Sequence, residues 1–549
     1  MNTRSKIIYS VLSFLIVGFG QPAWSSTLGL AAASFGFALF WRVLLTFDSP
    51  KKRFWIGTIW FAATQLIQLS WSLSHLFLYI IAVYLFFAIA TGLQFGVLAL
   101  MFDQKKIKDP KQLLLIASVW TLMEWARLFF MSGYTWNPVG LSLSSSVFSM
   151  QMASIWGVFG LTFWVMITNL FALQSMMQKS KKWIALWGIA TITPYLYGAV
   201  QIQIVDSKPN SNLFHAVLTQ PSFAVEEAME FQSTEEFIGY VEGEWKQILS
   251  ITKSQLGKPT DLVVLPEFVV PFGTYTMIFP YEVVKSVFEE IYGDHAKLPP
   301  LESPYARKWN GEWYVNNAFW AQAISESFSA GLIAGLEDVD VHDDGKRDYW
   351  SAGIYFQPEI GPTLSDDRYA KRVLVPMGEY IPLEFCRKLA ANYGVTGSFT
   401  PGKGAKVWDC NGNGVGVSIC YEETFGDLMR ENKQLGASML VNLTSDAWYP
   451  NSRLTQQHSD HARLRTVENG FPLLRSCNTG ITGAYDSLGR EIAILGKGKE
   501  NFEMISDAIR VEVPMVTYWT LYSEVGDGLI VGFCLISIIF TYRNRRYDQ

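Results

Sequence analysis

The sequence has few of the side chains from which metal and phosphate sites are built. It contains five cysteines and six histidines in 549 residues. They form neither a Cys-x-x-Cys pair nor a His/Cys cluster at metal-ligand spacing. The sequence also lacks a glycine-rich phosphate loop and an internal repeat. These absences give no reason to expect a bound metal, a nucleotide or a repeat architecture.

Charge is also sparse. The chain has 44 Lys and Arg against 49 Asp and Glu, a net charge of −5, so nothing points to a nucleic-acid partner. The odd number of cysteines leaves at least one outside any disulfide, even in an oxidising compartment. Cys386 and Cys410 could pair, although spacing does not fix connectivity.

Long apolar runs dominate the first 200 residues. Seven of them lie near the ~20 residues that cross a bilayer, and an eighth closes the chain. They are residues 7–22, 28–47, 54–71, 76–102, 113–131, 150–174, 183–200 and 525–542. The first could instead be a signal peptide. The spans that follow at once, and the lack of a small-x-small cleavage site, favour a retained helix.

Lysine and arginine occur only in alternate loops. They lie before the first run and after the second, fourth, sixth and last, whereas loops 23–27, 72–75 and 132–149 contain none. The positive-inside rule therefore predicts cytoplasmic termini. An odd number of preceding spans places the middle of the chain on the far side. The predicted domains are a transmembrane bundle (1–200), an extracytoplasmic catalytic domain (201–520) and a final span with a basic cytoplasmic tail (521–549).

Two charges lie inside the fifth run. Glu124 and Arg127 are three residues apart and share one helix face. Charges at membrane depth are costly and usually pair or face a polar cavity. A structural ion pair is favoured over direct contact with a substrate.

In residues 210–515, short apolar runs alternate with charged helical stretches. This pattern is typical of an α/β domain with a mixed sheet. Residues 454–469, for example, are predicted to form a helix. The segment 268–284 is unusually aromatic for a loop. It either packs into the core or lies on the bilayer as a flap, and the flap is slightly favoured.

A β-prone run at 414–419 ends at Cys420 and is followed by an acidic segment. A strand end holds a side chain rigidly at the rim of a sheet, which suits a nucleophile. Taken alone, the cysteine is more readily explained as a small buried apolar residue.

Two further strand ends favour a nucleophile. The run 261–265 ends at Glu267, and Lys371 precedes a second apolar run that leads to Glu379. A carboxylate, an ammonium and a thiol in this order suit acyl transfer, as base, oxyanion partner and nucleophile. Each residue alone has an ordinary alternative, with Glu267 as a helix cap, Lys371 as a surface charge and Glu379 as a turn residue. These alternatives do not explain why all three occur together in this order.

These stretches resemble the Glu-Lys-Cys signature of the nitrilase superfamily. The sequences of residues 265–267, 371–382 and 418–422 are most similar to the apolipoprotein N-acyltransferase family. Residues 442–449, 457–458 and 475–482, together with Arg465 and Glu468, carry further likeness. The resemblance covers nearly the whole chain. It implies a nitrilase-like α-β-β-α sandwich inserted between seven N-terminal helices and one C-terminal transmembrane helix.

The resemblance also implies a reaction. An acyl chain passes from a membrane phospholipid, through a cysteine thioester, to the N-terminal amine of diacylglyceryl-cysteine in apolipoproteins. The implied catalytic residues are Glu267, Lys371 and Cys420. The implied supporting residues are Glu379, Tyr421 and Glu422. The protein is expected to be a monomer in the bacterial inner membrane, with the catalytic domain periplasmic, and to need neither metal nor cofactor.

Two stretches depart from the family pattern. The turn at 220–222 reads Gln-Pro-Ser instead of Gln-Gly-Asn, and the Lys-Trp pair that follows it is absent. Residues 349–351 read Tyr-Trp-Ser instead of Tyr-Asn-Ser. The catalytic set is untouched, but donor and acceptor preference are in doubt.

Two other functions stay open. A membrane-tethered amidase or nitrilase would share the same three residues and pass the acyl group to water. A transporter or lipoprotein-binding scaffold would be expected to show interrupted helices with midplane polar groups. A dry, lipid-facing pocket with an amine acceptor would distinguish the acyltransferase.

Overall fold

The computed structural model describes residues 1–208, 212–225, 229–361, 368–376, 378–381 and 398–547. The chain forms two compact units. The first consists of Met1–Lys208, Tyr449–Gly470 and Tyr518–Gln549, and the second of Pro209–Trp448 and Phe471–Thr517. The segment 449–470 belongs to the first unit, although it lies within the predicted catalytic domain 201–520.

The first unit is helical. Its α-helices are Thr3–Gly18, Ser26–Ala31, Phe37–Leu44, Pro50–Gln68, Ile80–Ala99, Pro110–Ala126, Val147–Met150, Ala153–Gln178, Lys181–Asp206, Leu454–Asn469, Leu521–Val525 and Gly528–Tyr547. Local sequence sets several of their starts. The Ser49 and Asp109 side chains accept backbone N–H groups just ahead of Pro50 and Pro110, and proline suits the first turn because it lacks an N–H.

Four stretches of this unit are long and apolar enough to cross a membrane. They are Ser26–Leu44, Ile80–Ala99, Ala153–Gln178 and Lys181–Asp206. Gly528–Arg543 is apolar but shorter. Every predicted run overlaps a helix of this unit, but the count of eight spans is not confirmed.

An aromatic cluster holds the bundle together. Phe40 stacks on Trp60 with ring centroids 4.1 Å apart, and Phe61 stacks on Phe95 at 4.6 Å. The edge of Trp120 meets Phe61 at 5.2 Å. Such contacts add to the stabilisation from burial alone.

Glu124 and Arg127 form the predicted pair inside the bundle. Arg127 Nη1 lies 4.0 Å from Glu124 Oε1. The carboxylate also accepts hydrogen bonds from Trp120 Nε1 at 3.0 Å, Thr162 Oγ1 at 2.6 Å and Val139 N at 3.0 Å. Since these partners hold the carboxylate inside the protein, the contacts favour the structural interpretation.

Helix Leu454–Asn469, which the sequence predicted, supplies a buried ion pair. Arg465 Nη1 lies 3.0 Å from Glu468 Oε2, and Glu468 Oε1 accepts Val158 N at 2.9 Å. Val158 follows a break in helix Ala153–Gln178, where Gly157 has φ 65°. Glu468 therefore caps the helix segment that restarts after the break.

The second unit contains fifteen strands among its described residues. In chain order they are β1 Leu213–Gln220, β2 Leu262–Val264, β3 Phe279–Pro280, β4 Ala306–Trp309, β5 Glu312–Val315, β6 Gly331–Val341, β7 Arg347–Phe356, β8 Arg368–Ala370, β9 Val407–Cys410, β10 Asn413–Ile419, β11 Met439–Thr444, β12 Leu473–Cys477, β13 Gly483–Tyr485, β14 Glu491–Ile494 and β15 Asp507–Pro514.

These strands form two six-stranded sheets and one small sheet. The first has the order β15-β1-β2-β6-β7-β8, the second β14-β13-β12-β11-β10-β9, and the third β3-β5-β4. The central pairs are parallel, namely β1–β2 and β2–β6 in the first sheet and β10–β11 and β11–β12 in the second. The carboxyl ends of neighbouring parallel strands meet at one edge of each sheet, where functional side chains commonly lie.

The two large sheets pack face to face around an apolar core. Val264 and Ile333 of the first sheet share this core with Val417, Ile419 and Leu443 of the second. The outer face of the first sheet packs against helices Thr234–Thr252, Tyr281–Tyr292 and Asn317–Phe328. Helix Gly426–Gln434 packs on β10 of the second sheet. The mixed sheets and the layering agree with the predicted nitrilase-like sandwich.

Several residues of the segment 268–284 pack into the core of the second unit. Val269, Val270 and Phe279 are each at most 1% exposed. Phe272 and Tyr275 pack against the same core. These contacts favour the core alternative for the residues named. The flap on the bilayer, which the sequence slightly favoured, stays a prediction.

Candidate active site

Glu267 lies just beyond the end of β2, in a tightly packed turn. The Pro266 carbonyl accepts Gly335 N at 3.1 Å, and Val269 N donates to the Gly335 carbonyl at 2.9 Å. A Cβ at position 335 would lie 2.5 Å from Glu267 Cα. Only glycine fits this close approach, which holds the glutamate against β6.

Lys371 links two carboxylates. Its Nζ donates to Glu267 Oε1 at 2.8 Å and to Glu379 Oε1 at 2.6 Å. The other oxygen of Glu379 accepts Val375 N at 2.8 Å. The lysine is 1% exposed, so its ammonium depends on these partners in place of water.

Cys420 directly follows β10 and begins a short 3-10 turn, Cys420–Thr424. Its φ is 51°, a left-handed conformation that is costly for a residue with a side chain and typical of functional turns. Asn442 Nδ2 donates to the Cys420 carbonyl at 3.2 Å. Besides burial, the charges of Glu267 and Lys371 both act on the pKa of the thiol, so the sulfur lies within their reach. The structure thus brings the three predicted catalytic residues together.

The electrostatics of the three groups follow from burial and mutual contact. Burial raises the pKa of Glu267, with Lys371 opposing that rise and Glu379 adding to it. Burial, and then the charge of Glu267, raise the pKa of the Cys420 thiol well above its usual value. Burial would lower the pKa of Lys371, but the two carboxylates outweigh it and raise the pKa. The resting site therefore holds a neutral thiol beside a carboxylate of increased basicity.

Glu422 clamps the nucleophile's turn to the segment that carries Lys371. Its Oε1 accepts Arg372 N at 2.5 Å and Val373 N at 3.1 Å, while its Oε2 accepts Ile419 N and Tyr369 Oη, both at 2.8 Å. Four donors on one buried carboxylate fix the turn in place.

Tyr421 lies 7% exposed beside the nucleophile. Its ring and that of Phe425 make a T-shaped contact, with centroids 5.1 Å apart. All three predicted supporting residues, Glu379, Tyr421 and Glu422, therefore lie within the site's immediate framework.

Sequence reasoning missed one contributor to this framework. Glu423 and Arg475 form a fully buried pair, with Arg475 Nη2 2.8 Å from Glu423 Oε1. Arg475 Nη1 also donates to the Ile481 carbonyl at 3.0 Å. The two residues are 52 positions apart, so no local pattern links them. The only signal was the placement of Arg475 within a stretch that resembled the family.

The other described cysteines are buried thiols. Cys410 and Cys477 are not in disulfides, and burial raises the pKa of each to about 12. The suggested partner of Cys410, Cys386, lies outside the described residues. Within the described ranges, no group of three or more His, Cys, Asp or Glu could hold a metal ion.

The two stretches that depart from the family pattern lie in ordinary structural contacts. Ser351 accepts Lys371 N through its carbonyl at 2.8 Å. Trp350 Nε1 donates to Asp340 Oδ2 at 3.0 Å. Gln220 Nε2 donates to the Phe502 and Ile505 carbonyls at 2.9 and 3.0 Å.

Comparison with known proteins gives matches across both units. Residues 15–171 match the model of the apolipoprotein N-acyltransferase N-terminal domain, and residues 238–510 match that of carbon-nitrogen hydrolase. An apolipoprotein N-acyltransferase of Chlamydia caviae is 30% identical over 97% of this chain and 96% of its own. That of Chlamydia pneumoniae is 29% identical, covering 97% of each chain.

A solved structure is also similar. It is a carbon-nitrogen hydrolase from Helicobacter pylori G27, with 15% identity and a TM-score of 0.35, covering 55% of this chain and 90% of that one.

Proposed function

This chain belongs to the apolipoprotein N-acyltransferase family, and we propose that it acylates apolipoproteins through a thioester on Cys420. The acyl donor is a membrane phospholipid. The acceptor is the free N-terminal amine of a diacylglyceryl-cysteine. The observation that carries the mechanism is the ion pair of Lys371 with Glu267 beside the Cys420 thiol, whose pKa burial and both charges shift.

In the first half-reaction Glu267 takes the proton of the Cys420 thiol. The sulfur attacks the carbonyl carbon of the sn-1 ester, and the carbonyl oxygen becomes an oxyanion. The Lys371 ammonium and a backbone N–H near Cys420 stabilise that charge. The intermediate then collapses, and Glu267 returns the proton to the leaving glycerol oxygen. Lysophospholipid departs, and the acyl chain stays on sulfur.

In the second half-reaction the acceptor amine attacks the thioester carbonyl. Glu267 serves again as base and takes a proton from the nitrogen. The C–S bond breaks, the amide forms, and the thiolate regains a proton. A thioester suits this sequence because amines attack it readily, while it survives if water is excluded. The steps need no metal or organic cofactor.

The supporting residues act through position. Glu379 holds Lys371 and limits its freedom to move away from Glu267. Glu422 fixes the Cys420 turn against the Lys371 segment. Tyr421 fills space beside the sulfur and shapes the pocket for the acyl chain.

The membrane arrangement completes the proposal. Residues 1–200 and 521–549 form eight spans of a bacterial inner membrane, and both termini face the cytoplasm. The catalytic domain lies on the periplasmic side, where both lipid substrates reach a monomeric enzyme. The distribution of Lys and Arg supports this orientation, and the apolar helices support the membrane location.

The test is intact mass of the purified protein after incubation with phospholipid and no acceptor. Wild type should gain one acyl chain, which hydroxylamine removes, and Cys420→Ser should gain none. A diacylated lipopeptide should then discharge the adduct and become triacylated. Fatty acid accumulating without an adduct would make water the acceptor and support a hydrolase. Inertness toward both substrates would favour a binding scaffold.

A further inference from the structure

Strand β12 presents two adjacent polar residues to opposite faces of its sheet. Leu474 belongs to the apolar core between the two large sheets. Because side chains alternate along a strand, residue 476 faces that core and residue 475 faces away from it. Arg475 and Ser476 are both fully buried, so each depends on partners inside the protein.

The outward residue reaches the nucleophile's turn. Arg475 Nε donates to Glu423 Oε1 and Oε2 at 3.1 and 3.2 Å, and Nη2 donates to Oε1 at 2.8 Å. Glu423 is in the Cys420–Thr424 turn, three residues after the sulfur-bearing residue. A two-pronged contact of this kind fixes orientation as well as distance.

The inward residue reaches the other sheet. Ser476 Oγ lies 2.8 Å from the Thr219 carbonyl on β1 and 3.0 Å from the Val264 carbonyl on β2. Val264 is the last residue of β2, three positions before Glu267. One strand therefore contacts the element that bears the nucleophile and the strand that leads to the base.

We propose that Arg475 and Ser476 are positioning residues that set the separation between the Cys420 sulfur and the Glu267 carboxylate. These two groups come from different sheets, so no single strand or turn fixes their distance. Glu422 performs the corresponding task for Lys371, through Arg372 N and Val373 N. The claim that the Cys420–Glu267 distance controls acyl transfer rests on the proposed function. The claim that Arg475 and Ser476 set this distance does not.

Two variants test this proposal. Arg475→Lys keeps the positive charge but loses the two-pronged contact with Glu423, and Ser476→Ala removes one hydroxyl. The matched control is Arg490→Lys. Arg490 donates to Asp486 at 2.6 Å in a partly exposed turn of the same sheet. Acylation of Cys420 by excess phospholipid should slow on the order of tenfold in each positioning variant, because small misplacements of reacting groups are costly. The dependence on lipid concentration and the control's rate should not change.

The second readout is alkylation of Cys420 by iodoacetamide across pH, which needs no lipid. In wild type burial and the charge of Glu267 raise the pKa of the thiol, so alkylation should need a pH above that of an ordinary cysteine. If positioning is lost, the influence of that charge weakens and the profile should move to lower pH. A purely structural role would lower the amount of folded protein without moving the profile.

Wild-type acylation rates and an unmoved alkylation profile in both variants would overturn the proposal. So would losses that match the folded fraction measured by thermal unfolding. A wild type that forms no acyl-enzyme, with a profile that still moves in the variants, would leave the positioning intact and reject the acyl transfer.

Discussion

The hydroxyl of Tyr369 donates to Glu422 Oε2 at 2.8 Å. Tyr369 is the middle residue of β8 in the first sheet, and Glu422 lies in the nucleophile's turn at the end of a strand of the second. The contact therefore spans the two sheets beside the site. Tyr369→Phe should lower the free energy of unfolding by about 1.5–3 kcal/mol, the usual worth of a hydrogen bond to a charged group.

Acylation by Tyr369→Phe should fall only a few-fold, since three backbone donors still hold Glu422. Tyr355→Phe is the matched control, because Tyr355 Oη also crosses between the sheets, to the Asp409 carbonyl at 3.2 Å. Thermal unfolding and acylation rates of both variants test this. Equal losses of acylation in the two variants would contradict a special role for Tyr369.

Removal of the base should separate chemistry from folding. Glu267→Gln keeps the shape of the side chain and a group that can accept a hydrogen bond from Lys371 Nζ. Acyl-enzyme formation should fall about 10²–10⁴-fold, the range expected for loss of a general base. Single-turnover kinetics with labelled phospholipid measure this. A rate within tenfold of wild type would assign the base to another group.

The pKa of Glu267 should set the pH at which acylation falls on the acid side. The carboxylate must be ionised to accept the thiol proton, so activity falls as pH drops through its pKa. Because burial raises the pKa of Glu267, the pH at which activity falls on the acid side should lie above the ordinary carboxyl range. Glu379 adds to the rise, so Glu379→Gln should move this fall in activity to lower pH. A move to higher pH would contradict this assignment.

Lys371 should matter for stability as well as for catalysis. Lys371→Met leaves the buried Glu267 carboxylate and the partly buried Glu379 carboxylate without their shared ammonium. The free energy of unfolding should fall by about 3–5 kcal/mol, as is typical when one partner of a buried pair is removed. The double variant Lys371→Met/Glu379→Gln should recover part of that loss, since one of the two charges is gone. Denaturant unfolding of the three proteins measures the coupling, and an additive result would contradict it.

Impermeant maleimide labelling tests the proposed orientation. Trp309 of the catalytic unit is 66% exposed, and Lys105 lies in an exposed basic loop of the helical unit. In intact spheroplasts Trp309→Cys should be labelled at once, whereas Lys105→Cys should be labelled only after permeabilisation. Labelling of both without permeabilisation would refute the predicted topology.

Local patterns predicted the parts of the site that are strand ends. Glu267 and Cys420 each follow a short apolar strand, and their motifs bring the residue types that acyl transfer needs. Helix Leu454–Asn469 also had a readable pattern. These predictions succeed because alternation and composition are properties of consecutive residues.

The contacts that the sequence could not predict join residues that lie far apart in the chain. Nothing local links Glu423 to Arg475, or Ser476 to Val264, because sheet order decides those contacts. The segment 268–284 stayed ambiguous in sequence for a related reason. Its aromatic residues fit either a membrane surface or a protein core, and the contacts that favour the core come from helices elsewhere in the chain.

The path of the chain between its two units limits how the protein can be dissected. The polypeptide passes from one unit to the other at 208/209, 448/449, 470/471 and 517/518. Helix Leu454–Asn469 lies in the segment that re-enters the helical unit, and its Leu464 and Val467 belong to the apolar core of that unit. A truncated catalytic fragment cut at 209 and 517 would carry that helix without its packing surface. Neither unit is thus a contiguous piece of sequence, and a soluble version of the enzyme requires redesign of 449–470 as well as removal of the ends.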